Sequence, residues 1–280
     1  MIGLVVDSNS QMPPELAERF GIVVVPLTVS IDGVEYLEGV DIDADAFYAH
    51  WADGHAPAVG TSQPSPGAFA AAYRGLAERG ATQILSVHIS EAMSGTLNSA
   101  RVAAATVDVP VRLVDTGTAS FGISCCAWAA AQVLASGADL DDAAEIAEQQ
   151  ASELRTTFVV GVPALVDRSG RAGGLDVTAA AADGVPIIAM TGPEMSVLTT
   201  ATDLDAAVEV MVDDALAWTP GSADGLRIAV GTSDGSSEPM SRKITERLSG
   251  HDLVADVVQY RIGPSVGAHT GPGTAGLFVF

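Results

Sequence analysis

The chain has 280 residues, 48% of them hydrophobic but only 5% aromatic, enough for two ordinary domains with cores of Ala, Val, Leu and Ile. Its 35 acidic residues against 13 basic ones leave a formal charge of −22. That balance argues against binding through nucleic-acid phosphates or docking on an anionic membrane surface. The two cysteines, Cys125 and Cys126, are adjacent in an apolar run and supply no disulfide framework.

Residues 2–6 form a short apolar run that stops at Asp7-Ser8-Asn9-Ser10, the pattern of a buried strand entering a turn. No basic leader or cleavage site precedes it, and the sequence has no apolar run of about 18 residues. A cytoplasmic protein without stable membrane insertion is therefore expected. Pro13 and Pro14 open a helix to about Phe20, and residues 22–25 make a second strand. Residues 29–36 read as extended with a turn at Asp32-Gly33, and Asp43 caps a helix carrying Phe47, Tyr48 and Trp51. There follow a helix over 66–79, a strand over 84–88, a helix from Ser94 to about Thr106 and a strand over 111–114. Helices over 119–135 and 140–154 complete an alternation that predicts a parallel sheet flanked by helices.

The pattern changes near Thr157. A strand over 158–162 leads into a loop with Arg168, Gly170, Arg171, Gly173 and Gly174, then strands over 185–189 and 196–200 of a less regular sheet. Asp203 caps a helix to about Trp218, and residues 220–225 read as a flexible connection. A strand over 226–230, a helix over 238–248 and strands over 254–258 and 277–280 close the chain. The expected fold class is α/β in two domains: residues 1–158 with a parallel sheet, and residues 159–280 as a mixed-sheet α/β domain.

Three separated segments collect hydrogen-bond donors. They are Thr61-Ser62-Gln63-Pro64-Ser65, Met93-Ser94-Gly95-Thr96 and Gly267-Ala268-His269-Thr270-Gly271-Pro272-Gly273. Each sets small hydroxyls or an imidazole where the backbone turns or a helix begins, the places where unpaired N–H groups gather. Ser94 reads either as an ordinary helix cap or as a hydroxyl facing a ligand oxygen. Ser65 reads as a cap with Pro66 at the first helical position, leaving Thr61 to face a ligand. A nucleophilic triad of Ser94, His269 and Asp7 or Asp115 is conceivable, but Ala92-Met93-Ser94-Gly95 lacks the first glycine of a nucleophile elbow. Lys243, the only lysine, sits in no phosphate loop, and His50, Asp53 and His55 read as a polar loop rather than a metal site. No cofactor is expected. The residues describe a receptor for an acidic small molecule before they describe a catalyst.

The three segments, with Val5-Val6-Asp7-Ser8-Asn9-Ser10 and Pro13-Pro14 at the start, resemble in order the DegV family of bacterial fatty-acid-binding proteins. That family includes the acyl-carrying subunit of fatty acid kinase. The resemblance implies two α/β domains with a long-chain fatty acid held between them in a buried tunnel. It implies a non-enzymatic protein whose carboxylate-binding residues are Thr61, Ser94 and His269, with Ser62, Thr96, Arg171 and Thr270 as secondary positions. It also implies, as partner, a separate fatty acid kinase catalytic subunit that would phosphorylate the presented head group. One departure bears on that partner: a basic stretch carried by many members reads Leu198-Thr199-Thr200-Ala201-Thr202-Asp203 here. The alternative from another class is a serine-dependent acyl hydrolase or transferase using Ser94 and His269.

Overall fold

The computed structural model describes residues 1–218 and 225–280. The chain divides into two compact units. Unit 1 holds Met1–Ser30, Glu35–Asp41 and Thr61–Ser152, and unit 2 holds Ile31–Val34, Ile42–Gly60 and Glu153–Phe280. The chain passes into unit 2 for the last time at 152/153, and two N-terminal segments also belong to that unit. The reason is tertiary and invisible to local pattern. In unit 2 the Asp32 amide donates to Ala58 O at 2.8 Å, and the Tyr48 hydroxyl donates to Ile262 O at 3.0 Å.

The first elements are β1 (Ile2–Asp7), α1 (Pro14–Phe20) and β2 (Ile22–Val25). A hairpin of β3 (Thr28–Ile31) and β4 (Val34–Leu37) turns at Asp32 and Gly33, both at positive φ. After α2 (Ala44–Ala49), capped by Asp43, comes β5 (Val59–Ser62), which completes a three-stranded sheet in the order β4-β3-β5. Then follow α3 (Pro66–Glu78), β6 (Gln83–His88), α4 (Thr96–Ala104), β7 (Val111–Asp115), α5 (Phe121–Ala135) and α6 (Leu140–Glu153).

In unit 1 the strands pair in parallel in the order β2-β1-β6-β7. Val5, Val6, Ile84, Leu85 and Val87 are wholly buried, as expected when helices cover both faces of a parallel sheet. Phe69, Tyr73 and Leu76 of α3 and Ala100 and Ala103 of α4 form one core with Val5 and Ile84. Cys125 and Cys126 are free, fully buried thiols, and burial pushes the Cys126 thiol far up from its ordinary range.

Unit 2 continues with β8 (Arg155–Val159), α7 (Pro163–Ser169), α8 (Val177–Ala180), β9 (Val185–Thr191), β10 (Glu194–Ala201) and α9 (Leu204–Ala217). It ends with β11 (Leu226–Thr232), α10 (Glu238–Leu248), β12 (Val254–Arg261), α11 (Pro264–Thr270) and β13 (Ala275–Val279). Its sheet has the order β10-β9-β8-β13-β11-β12, and β11 with β12 is the parallel pair. Ile187, Met211, Ile228, Ile244 and Leu277 fill one core with α9 and α10, while Val166, Val177 and Ile188 form a second with α7 and α8.

Two expectations are corrected here. The strand placed over 158–162 lies at Arg155–Val159, and the supposed loop holding Arg168 is the helix α7. Pro163 presets the first turn of α7, and Leu165 and Val166 give it a buried face. Gly170 then ends it in the left-handed conformation at φ 67°. The connection expected over 220–225 falls almost wholly in 219–224, outside the described residues. Among the described residues no helix is long and apolar enough to cross a membrane.

Candidate functional site

In unit 1 the chain leaves β6 at its carboxyl end and reaches Ser94 through a tight loop. The Met93 and Ser94 amides both donate to Ser90 O at 3.0 Å, and the Ala92 amide donates to Ser90 Oγ at 3.2 Å. The helix α4 starts two residues later than expected, at Thr96, with Gly95 as a cap that offers no side chain. Ser94 stands before it. Its Oγ lies 2.9 Å from Thr96 Oγ1 and accepts from the Thr96 amide at 3.3 Å. Ser94 thus does a cap's work from one position further out, and its half-buried hydroxyl forms a pair with that of Thr96.

The Thr61 segment meets the same turn. Thr61 and Ser62 end β5, and Ser65 caps α3 by accepting from the Ala68 amide at 3.2 Å. The side chain of Gln63 covers Gly95 so closely that a Cβ there would sit 3.0 Å from its Nε2. Glycine at 95 lets the two segments close on each other. The contact between the two segments is thus made by Gln63 against the turn that holds Ser94 and Thr96.

In unit 2 His269 lies in the last turn of α11. Gly267 lets this helix press on α2. A Cβ at 267 would come within 2.5 Å of the Tyr48 hydroxyl and 2.8 Å of Phe47. Arg171 follows the glycine that ends α7, and its Nη1 is 3.3 Å from His269 Nδ1. A guanidinium only donates, so Nδ1 is the acceptor and the proton of the neutral ring is on Nε2. Burial, reinforced by the Arg171 charge, lowers the His269 pKa to about 4. Burial also lowers the pKa of Arg171. The cluster therefore presents a neutral imidazole with a donor edge beside a partly desolvated cation, a setting suited to an anionic oxygen. Thr270 adjoins it, with its Oγ1 on Val266 O at 3.3 Å.

Asp234 fixes the turn after His269. Its Oδ1 accepts from the Gly273 amide at 2.7 Å and from the hydroxyls of Ser236 and Ser233 at 2.9 and 3.0 Å. Burial alone would raise the pKa of this carboxyl, but those hydrogen bonds hold it below the ordinary carboxylate range.

The structure thus brings together residues of the first two expected segments in unit 1, and Arg171 with His269 in unit 2. It leaves Asp7 engaged elsewhere than in a triad: the carboxylate accepts from the Asn9 amide, the Ile89 amide and His88 Nδ1 at 3.0–3.1 Å. Among the described residues no group of three or more His, Cys, Asp or Glu side chains is placed to hold a metal, and His55 pairs with Asp32 at 3.2 Å. Gln63 lies in the first expected segment without a role assigned to it there, and Asp234 was not expected at a site. The first had a signal in the Ser-Gln-Pro-Ser turn, the second in Asp234-Gly235-Ser236-Ser237, whose partner Gly273 is 39 positions away.

A four-stranded parallel unit followed by a six-stranded mixed unit, with a hydroxyl cluster in the first and an Arg–His pair in the second, defines a two-unit α/β protein of a specific kind. The DegV family model (uncharacterised protein, DegV family) matches residues 1–280, and the chain belongs to that family. It is 32% identical over 279 residues to a DegV domain-containing protein of Streptomyces coelicolor, covering 99% of this chain and 98% of the relative. Among solved structures it is similar to a DegV family protein of Thermus thermophilus described by its fatty acid binding. The TM-score is 0.90 at 29% identity, over 100% of this chain and 99% of that one. It is also similar to DegV of Bacillus subtilis, a fatty acid binding protein, with a TM-score of 0.83 at 25% identity over 100% and 99% of the two chains.

Proposed function

We propose that this protein binds a long-chain fatty acid in a buried tunnel and presents its carboxylate, with Thr61, Ser94 and His269 as the primary head-group contacts. The observation that carries the reading is the Arg171–His269 pair, a donor-rich, partly desolvated corner in the glycine-rich segment that holds His269. The whole-length likeness to fatty-acid-binding relatives supports it. So does the chemistry. Burying an acyl chain yields about 0.8 kcal/mol per methylene before ordering costs, but an unmet carboxylate would cancel much of that gain. Ser62, Thr96, Arg171 and Thr270 are secondary contacts in this proposal. A separate kinase, acting on the presented carboxylate with its own phosphoryl donor, is the partner in this reading. The stretch 198–203 lies largely on β10, an edge strand with Leu198 exposed and no basic residue, so the contact with such a kinase would use other residues.

Denaturing mass spectrometry of the purified protein is expected to release a long-chain fatty acid. Ser94→Ala is expected to weaken binding of that acid by about tenfold or more, the scale of one hydrogen bond to a charged group. Covalent labelling of Ser94 by an acyl or phosphonate probe, with turnover of an acyl ester, would instead establish the serine-dependent alternative.

A further inference from the structure

Behind the Ser94 loop lies a chain of fully buried polar groups that the head-group contacts do not include. Tyr73 OH is 2.9 Å from Ser86 Oγ, and Ser86 Oγ is 2.7 Å from His88 Nε2. His88 Nδ1 is in turn 3.0 Å from Asp7 Oδ2. None of the four side chains is accessible to solvent, and the ring of Phe69 closes edge-on over His88 at 4.9 Å. A carboxylate in such a place is costly unless every lone pair is used. The remaining bonds of Asp7 go to two loops. Oδ2 also accepts from the Ile89 amide at 3.1 Å, and Oδ1 accepts from the Asn9 amide at 3.1 Å.

Those two amides are the first links of two short paths. Ser90 follows Ile89 directly and is itself 1% exposed. Its carbonyl takes the amides of Met93 and Ser94, and its hydroxyl takes that of Ala92. Asn9 Oδ1 accepts from the amide of Ser120, the residue that begins α5 with φ 57° and ψ −146°. A non-glycine residue in that conformation persists only where its surroundings impose it. Asp7 thus sits at the carboxyl ends of neighbouring parallel strands and fixes the loops leaving both.

We propose that Asp7 is a positioning residue for the head-group contact of Ser94, acting through Ile89 and Ser90, with His88, Ser86 and Tyr73 holding its carboxylate in the orientation this requires. The inference rests on the reading of Ser94 given under Proposed function. A hydroxyl meets a carboxylate well only within a few tenths of an ångström, so a loop released by one turn's worth of hydrogen bonds loses the head group while leaving the tail's environment intact.

The test compares affinity for a long-chain fatty acid with affinity for the fatty alcohol of the same length, using the full chain stripped of bound lipid. Asp7→Asn, which keeps shape and removes charge, is expected to reduce the acid-over-alcohol preference about tenfold, with alcohol affinity unchanged. In a Ser94→Ala background the same change is expected to do nothing further to that ratio, because both act on one contact. General loosening of the fold would instead weaken acid and alcohol together, and that result overturns the proposal. So does a ratio that Asp7→Asn leaves at the wild-type value while Ser94→Ala lowers it. If Asp7→Asn does not fold, Ser90→Ala tests the same path by deleting the hydroxyl that holds Ala92. An unchanged ratio there also overturns the proposal. A wild-type protein with no preference for the acid sinks the head-group reading itself, and this inference with it.

Discussion

Gly161→Ala is expected to destabilise the protein by about 3 kcal/mol or more, the upper end of what forced overpacking costs. A Cβ at 161 would stand 1.6 Å from Pro272 O and 2.5 Å from Pro272 C. The obstacle is backbone, so no rotamer change relieves it. The opposing segment has little room to retreat. The Gly161 amide donates to Thr274 Oγ1 at 3.1 Å, the Val162 amide donates to Thr270 O at 2.9 Å, and the Gly273 amide is tied to Asp234 at 2.7 Å. Moving Pro272 outward breaks at least one of these. It also drags the turn that follows His269, so ligand affinity should fall with stability. Gly235→Ala serves as control, since nothing lies within 4 Å of a Cβ there and its φ is not in the left-handed range. Denaturant midpoints of the two variants decide the matter. A Gly161→Ala midpoint equal to that of the control would mean the two segments part cheaply.

Gly161 also shows where a sequence stops being legible. Its role depends on a neighbour more than a hundred positions away, and no local pattern distinguishes it from a loop glycine. The parallel sheet of unit 1 was readable because β1 is a nearly continuous apolar run and Ile84, Leu85 and Val87 carry β6, the pattern that burial on both faces imposes. The caps Asp43, Ser65 and Asp203 were readable because a cap acts within three residues of itself. The helix α7 was missed because it has only seven residues and is flanked by glycines and arginines that resemble a loop. Residues 42–60 belong to unit 2 although they lie in sequence among elements of unit 1, and no local pattern discloses this.

The clusters divide the same way. Thr61 and Ser94 stood out because proline and glycine punctuate their turns. Asp7 was noticed, but as an orienter for a triad, since nothing local discloses that His88 takes its carboxylate from 81 positions away. Arg171 ranked below His269 for a similar reason. Only the packing that sets its guanidinium 3.3 Å from the ring, across 98 positions, makes the two a unit. Turns and caps are written in adjacent residues, whereas a pairing across 81 or 98 positions is written only in the fold.

That pairing gives the last prediction its size and sign. With its pKa lowered to about 4, His269 stays neutral in the folded protein down to that pH, whereas in the unfolded chain it protonates near 6.5. Between these values the unfolded state holds more protons, so folding stability from this group rises with pH. The contribution is complete above about pH 6.5, falls as pH drops through the window, and is fully lost below about pH 4. At about 1.4 kcal/mol per pH unit the whole loss is about 3 kcal/mol. Carboxylates titrate in the same range, so the quantity to measure is a difference: the unfolding free energy of the wild type minus that of His269→Gln, from pH 7 to pH 4. It is expected to decline by about 3 kcal/mol as the pH falls. A flat difference would mean that the ring titrates in the fold as it does in the unfolded chain, so that neither burial nor Arg171 depresses it. Saturating long-chain fatty acid is expected to reduce the decline, because a carboxylate against the ring favours the imidazolium that Arg171 and burial oppose.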